Sequence, residues 1–169
     1  MSSSKSLGIV KFTGILSLVA GIVLIIAGGV VWGMITSQLS AEKMTIGDDA
    51  PMAFTRGQAV NGPITAYSQA EVINMHALAG SEGTYAELGA MVREATAAGD
   101  EDRAAELQAQ RNTMMNASFL RASLFTSVVA YGVSALVMGL GLMFILIGLS
   151  LNKVVKVEAA PALVEARKE

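Results

Sequence analysis

Residues 12–36, FTGILSLVAGIVLIIAGGVVWGMIT, contain no ionisable side chain. A helix that crosses about 30 Å of hydrocarbon needs about 20 consecutive apolar residues. A second run, residues 122–151, reads ASLFTSVVAYGVSALVMGLGLMFILIGLSL and also lacks ionisable side chains. Glycine and β-branched residues weaken helices in water, but in lipid the backbone must satisfy its own hydrogen bonds. The two runs therefore predict two transmembrane helices, one near each end of the chain.

The composition also indicates that part of the surface faces lipid. Hydrophobic residues make up 53% of the 169 residues and charged residues 15%, against about 25% charged in an average soluble domain. The net charge of −2 gives no reason to expect nucleic acid as a partner. The absence of cysteine from the sequence excludes disulfides and thiolate metal sites.

One alternative interpretation of the first run is a secretory signal peptide. The run is longer than the roughly 7–15 residues of a typical signal-peptide core, and no A-x-A cleavage site follows it. The second run would anchor the protein in either case.

The distribution of charge predicts the orientation. Residues 37–117 carry five basic and eleven acidic residues. Basic residues instead flank the far ends of both runs, and such residues favour the cytoplasmic side. They are Lys5, Lys11, Lys153, Lys156, Arg167 and Lys168. We therefore expect a multi-pass plasma-membrane protein with both termini in the cytoplasm.

These patterns define a fold class and its segments. We expect an all-α membrane protein with two transmembrane helices packed antiparallel and a mostly helical extracytoplasmic insert. The segments are a cytoplasmic N-terminus (1–11), transmembrane helix 1 (12–36), an extracytoplasmic loop (37–121), transmembrane helix 2 (122–151) and a cytoplasmic tail (152–169).

Start and stop signals predict three helices in the loop, at about 68–79, 84–98 and 100–121. Ser68-Gln-Ala-Glu71 and Thr84-Tyr-Ala-Glu87 both fit the capping-box pattern, and Asp100 is a suitable N-cap. The third helix has no proline or glycine before the second run, so it is expected to continue into it. The preceding stretch, 40–63, is rich in glycine and proline and predicts either a turn-rich cover or a mobile tether.

Glycines at sevenfold spacing predict how the spans pack, because small residues let helix backbones approach closely in lipid. The predicted packing residues are Gly14, Gly21, Gly28, Gly132, Gly139, Gly141 and Gly148. The second run carries two such stripes. Either the stripes only join the two spans, or one of them docks on another chain. Interfacial anchors are expected at Trp32, Phe119, Arg121 and Tyr131.

Signals for catalysis are weak throughout the sequence. His76 is the only histidine, with Glu71 five positions away and the Asp48-Asp49 pair remote in sequence. Metal sites and histidine-based acid–base catalysis need further partners, so a packed or solvent-facing histidine is the preferred interpretation. No catalytic, metal or cofactor-binding residue is predicted. Because the spans lack ionisable groups, a carrier acting alone is also not expected.

Three stretches resemble a family of small two-span membrane proteins from actinobacteria. They are VVWGMITSQLSAEKMTI (30–46), VNGPITAYSQAEVINMHAL (60–78) and MNASFLRASLFTSVVAYGVSALVMGLGL (115–142), together about 40% of the 169 residues. The resemblance implies the two-span topology. Members often carry an automatic label as aromatic ring-opening dioxygenases. A non-haem iron site of that kind needs two histidines and a carboxylate, which one histidine cannot supply.

The sequence therefore favours a non-enzymatic accessory or scaffold protein. It would dock through its glycine faces and outer helices on a larger membrane complex or on copies of itself, with the lipid bilayer as its other partner. The alternative is a membrane-anchored sensor or ligand-binding module that uses the extracytoplasmic helices.

Overall fold

The computed structural model describes residues 2–165, and the side chains of residues 6–158. Four α-helices account for most of this range: α1 (Ser2–Ala41), α2 (Pro63–Ala79), α3 (Tyr85–Ala97) and α4 (Glu101–Glu165). A short 3-10 helix, Ala53–Thr55, lies between α1 and α2. Within the described residues the only β-pairing is an isolated bridge between Thr45 and Ala59. The prediction of an all-helical chain is confirmed.

Two of these helices are long and apolar enough to cross a membrane, over Ser6–Ala41 and Glu101–Glu158. Each extends beyond the apolar run that predicted it. At 1.5 Å of rise per residue, the 40 residues of α1 span about 60 Å, twice the thickness of a hydrocarbon core. The prediction that the third outer helix continues into the second run is confirmed, since α4 has no break between them. α4 also includes most of the predicted cytoplasmic tail, and residues 166–169 lie outside the described residues.

The chain forms two compact units. The terminal unit consists of the residues up to Gly33 together with those from Gly132 onward, and the central unit is Met34–Tyr131. In the terminal unit α1 and α4 contact each other, and the Ser17 hydroxyl donates a hydrogen bond to the carbonyl oxygen of Phe144 at 2.8 Å.

The central unit has a small hydrophobic core between α2, α3 and α4. Its buried members are Ala77, Leu88, Ala95, Leu107, Met114 and Ala117. Leucine and methionine contribute most of the buried area, and each large aliphatic side chain removed from water stabilises the fold by about 1.5–3 kcal/mol.

The turn-rich segment between α1 and α2 is packed into the central unit. Ile46, Ala50, Thr55 and Val60 are all buried. Backbone hydrogen bonds close the segment on itself, with the Ile46 N–H donating to the Gln58 carbonyl at 3.0 Å. Of the two alternatives for this stretch, a packed cover therefore describes it better than a tether.

The predicted start of α2 at Ser68 is wrong, because the helix begins five residues earlier at Pro63. Proline suits the first helical position, where no N–H is needed and its φ is already helical. The Thr65 hydroxyl accepts from the Gly62 N–H at 3.0 Å and so caps this earlier start. Ser68 is buried, and its hydroxyl is hydrogen-bonded to that of Thr55 at 2.7 Å. Its side chain therefore serves tertiary packing instead of capping.

The start signals of α3 and α4 are confirmed. Thr84 and Glu87 form the predicted capping box, in which Glu87 Oε2 accepts from the Thr84 N–H at 2.8 Å. Asp100 caps α4 by accepting from the Arg103 N–H at 3.0 Å. Between the helices, Gly99 has a φ of +76°, a conformation that only glycine adopts without strain.

Candidate functional site

The backbones of α1 and α4 approach each other closely at predicted packing glycines. A Cβ atom placed on Gly21 would lie 2.5 Å from the carbonyl oxygen of Gly141, and one placed on Gly141 would lie 2.7 Å from that of Gly21. Non-bonded heavy atoms prefer separations near 3.5–4.0 Å. Only glycine therefore fits at either position, and the two backbones are in direct contact there.

The same approach recurs one heptad away in each direction along α1. A Cβ atom on Gly148 would lie 2.6 Å from the carbonyl oxygen of Gly14. A Cβ atom on Gly28 would lie 3.0 Å from the carbonyl oxygen of Ser134. The spacing of these glycines therefore matches a contact that repeats along the two helices.

Other glycines of the same helices face no neighbour. Cβ atoms on Gly132 and Gly139 would meet nothing within 4 Å in the part of the chain that the structure describes, and the same holds for Gly29 and Gly33. The two glycine stripes of α4 thus differ in their surroundings. Gly141 and Gly148 contact α1, whereas Gly132 and Gly139 lie on open surface.

The open stripe continues into exposed apolar side chains at helical spacing. Leu136 and Met143 alternate with Gly132 and Gly139 at intervals of three and four residues, and they are 63% and 48% exposed. We call these four residues the open glycine face. The two glycines form shallow notches between larger side chains, which is the shape that another close-packed helix fits.

Two of the four predicted anchors, Phe119 and Trp32, are at least partly exposed to solvent. Phe119 is 65% exposed, and Trp32 is half-buried. Aromatic rings are enriched at membrane interfaces, and the anchoring role of Phe119 and Trp32 stays a prediction.

Tyr131, a predicted anchor, instead lies in the interior of the central unit and is 1% exposed. Its hydroxyl donates to the carbonyl oxygen of Asn61 at 3.2 Å and is hydrogen-bonded to the Thr36 hydroxyl at 2.7 Å. A buried phenol needs such partners. Tyr131 therefore joins α1, the segment before α2 and α4, and a role as a lipid-facing anchor is wrong for it.

Arg121, another predicted anchor, is half-buried and turned toward α2. Its guanidinium lies 3.9 Å from the Glu71 carboxylate and 5.7 Å from the centre of the Phe125 ring. Phe125 in turn packs edge-on against Tyr67, with ring centroids 5.9 Å apart. Arg121 therefore contributes to the packing of α2 on α4.

Sequence reasoning missed the partner of the only histidine. Asp49 Oδ2 lies 2.5 Å from His76 Nε2, and both side chains are more than half exposed. The hydrogen bond from His76 lowers the pKa of Asp49 below its ordinary value. The two residues are 27 positions apart in sequence. They meet only because the turn-rich segment between α1 and α2, here called the cover loop, folds back against α2, and no local sequence pattern indicates this. The pair links this loop to α2.

A second charged cluster joins the start of α3 to α4. Arg103 forms ion pairs with Glu82 and with Glu106, and Gln110 donates to Glu82 at 2.9 Å. Hydrogen bonds from Arg103 and Gln110 lower the pKa of Glu82, and its carboxylate raises the pKa of Arg103. These groups are exposed, so each pair contributes modestly to stability.

A cleft in the central unit has an unsatisfied acceptor in its wall. It has a volume of about 420 Å³ and is bordered by Leu39, Glu42, Gln69, Ile73 and Leu124, among others. Gln69 Oε1 is buried there without a hydrogen-bond partner among the described residues. Burying an acceptor without a hydrogen-bond partner is costly.

Among the described side chains, residues 6–158, no group of three or more histidine, cysteine or acidic residues could hold a metal ion. Comparison with known proteins adds no family assignment, since no protein-family model, curated protein or solved structure matches the chain.

Proposed function

We propose that this protein is a non-enzymatic integral membrane accessory or scaffold protein that docks on a larger membrane complex or on copies of itself. Two long apolar helices support membrane insertion. Exposed aliphatic side chains along both helices, such as Ile26 and Leu136, support a lipid-facing surface. The sequence-level resemblance to the actinobacterial two-span family is part of the same proposal.

The open glycine face is the observation that carries the docking role. In lipid, helices associate through close packing, because lipid tails are as apolar as leucine and supply no hydrophobic driving force. Gly141 and Gly148 contact α1. Cβ atoms on Gly132 and Gly139, in contrast, would have no neighbour within 4 Å among the described residues. A second glycine stripe on one helix is unnecessary for a protein that only pairs its own two spans.

The proposed topology places both termini in the cytoplasm, the two spans antiparallel and residues 37–121 outside. The acidic loop and the basic flanks support it. Because the chain has no cysteine, single cysteines can be introduced at Ser81 and at Ser4 and treated with a membrane-impermeant maleimide on intact cells. We expect labelling at Ser81→Cys only. Labelling at Ser4→Cys without lysis would contradict the orientation.

The docking proposal is tested by Gly139→Leu. A leucine side chain fills the notch on the open glycine face, so the mass of the complex recovered in mild detergent should fall. Gly8→Leu is the matched control, because Gly8 also has no neighbour within 4 Å but lies outside this face. Recovery of a lone monomer from the unmodified chain, or an unchanged complex mass in Gly139→Leu, would contradict docking.

The alternative function is a sensor or ligand-binding module, and the cleft at Gln69 favours it. A ligand with an apolar body and a polar group would cover Ile73 and Leu124 and contact Gln69, which also lines the cleft. Mass spectrometry of small molecules released on denaturing the purified protein tests this. A species found with the unmodified chain and absent from Gln69→Leu would favour the binding module over the scaffold.

A further inference from the structure

A second cleft lies in the terminal unit, and residues of both α1 and α4 line it. It has a volume of about 490 Å³, and its wall includes Lys11, Ile15 and Leu18 of α1 and Leu149, Asn152 and Lys156 of α4. Lys11 directly precedes the first apolar run, and Asn152 directly follows the second. Both helices therefore contribute to the cleft at the level where their apolar runs end.

The polar part of this cleft is cationic. Lys11 and Lys156 line it from different helices, and none of the acidic side chains that the structure describes lines it. The only acidic side chain described in the terminal unit, Glu158, lies on a separate surface together with Lys153. Two ammonium groups without a local counter-ion attract an anion, most strongly where low-dielectric walls reduce solvent screening.

Asn152 adds an amide donor to the lining of the cleft. A Cβ atom on Gly14 would lie 2.9–3.2 Å from the atoms of the Asn152 amide group. The amide therefore lies directly against the backbone of α1, and a larger residue at position 14 would displace it. Glycine at this position thus helps to shape the cleft as well as the helix contact.

The apolar part of the cleft identifies the kind of anion. Ile15, Leu18 and Leu149 continue from the lysines into the two apolar runs. A free phosphate would use only the lysines and the amide, whereas a phospholipid would also cover the apolar wall with an acyl chain. Basic pockets between membrane helices are a known way of holding anionic headgroups.

We propose that this cleft binds the headgroup of an anionic phospholipid, with Lys11, Lys156 and Asn152 on the phosphate and the apolar wall along an acyl chain. Such a lipid would contact α1 and α4 at once. The inference requires membrane insertion but is independent of docking, which is measured by the mass of the protein assembly instead of by bound lipid.

The experiment counts bound lipid on the full chain by native mass spectrometry in mild detergent. Phosphatidylglycerol is the anionic probe, and phosphatidylcholine is the control with a phosphate but no net charge. We expect phosphatidylglycerol to be retained preferentially. The substitutions Lys11→Gln and Lys156→Gln should each weaken its retention by about fivefold and leave phosphatidylcholine unchanged.

Lys153→Gln is the matched control, because it removes the same charge from the same helix on the surface away from the cleft. It should change retention much less than Lys156→Gln does. The substitutions Lys11→Arg and Lys156→Arg keep the positive charge, so phosphatidylglycerol should still be retained. A loss seen only in the glutamine variants is then due to the missing charge and not to a disturbed fold. Circular dichroism checks that each variant remains helical.

Three results would overturn the proposal. Equal retention of phosphatidylglycerol and phosphatidylcholine would show that the negative charge of the headgroup does not contribute to binding. An equal loss in Lys153→Gln would indicate diffuse surface charge. Displacement of phosphatidylglycerol by millimolar inorganic phosphate would indicate a site for the free anion.

Discussion

The terminal unit and the central unit are each stabilised internally by a different kind of interaction. In the terminal unit, backbones touch at Gly21 and Gly141, and Ser17 provides a hydrogen bond between the two helices. In the central unit, a core around Leu88 and Leu107 is combined with side-chain hydrogen bonds and ion pairs that join loops to helices. The proposed membrane location of the terminal unit accounts for this difference, because burial drives packing in water whereas shape complementarity must do so in lipid.

The largest expected effect is in the core of the central unit. Leu88 is fully buried, so Leu88→Ala removes apolar contacts and leaves a cavity, which typically costs about 2–5 kcal/mol. Denaturant unfolding monitored by circular dichroism measures the change. Leu78→Ala is the control, since Leu78 is 40% exposed and should cost much less. Equal costs would mean that burial does not control the stability of this unit.

The next effect distinguishes the glycines of the terminal unit. Gly21→Ala places a Cβ 2.5 Å from the Gly141 carbonyl oxygen, which forces the helices apart at a cost of about 1–3 kcal/mol. Gly29→Ala, on open surface, should be neutral or slightly stabilising, because alanine is the better helix former. Thermal unfolding in detergent compares the two variants. If both behave alike, contact between backbones is not what holds this unit together.

A smaller effect is expected at the buried hydroxyl pair of the central unit. Ser68→Ala leaves the Thr55 hydroxyl without its partner at 2.7 Å, although Thr55 also donates to the Met52 carbonyl. The cost should be about 1 kcal/mol. Replacing both residues, Ser68→Ala with Thr55→Val, should cost less than the sum of the single changes because no orphaned hydroxyl remains. Additive costs in denaturant unfolding would exclude coupling between the two residues.

The smallest expected effect is the pH dependence of the link between the cover loop and α2. The pKa of Asp49 lies below its ordinary value of 3.8 in the folded protein, chiefly because of the hydrogen bond from His76. A lowered folded pKa contributes stability above the unfolded pKa and loses it as the pH falls through the folded pKa. Acid titration of unfolding should therefore show a loss below pH 3.8 that Asp49→Asn lacks. Asp48→Asn is the charge-matched control, and an equal response in both variants would rule out a specific role for the pair.

Local patterns predicted those features that depend only on neighbours in sequence. The capping box at Thr84 and the N-cap at Asp100 form as expected, because each needs only groups within three residues. Ser68 fits the same pattern but is used elsewhere, since Pro63 and Thr65 begin the helix earlier. A motif alone does not reveal that its hydroxyl has a tertiary partner.

The amino-acid sequence by itself determined the two long apolar helices, because runs of this length without charge or proline admit little else. It also determined that α4 continues into the second run, because no proline or glycine interrupts the stretch between Asp100 and that run. It also indicated that glycine spacing matters. Only the tertiary structure decided which glycines contact the other helix. Gly139 and Gly141 are the same residue two positions apart, yet only Gly141 lies against α1. The tertiary structure likewise buried Tyr131 and joined Asp49 to His76. These contacts join residues that are distant in sequence, and local sequence periodicity carries no information about them.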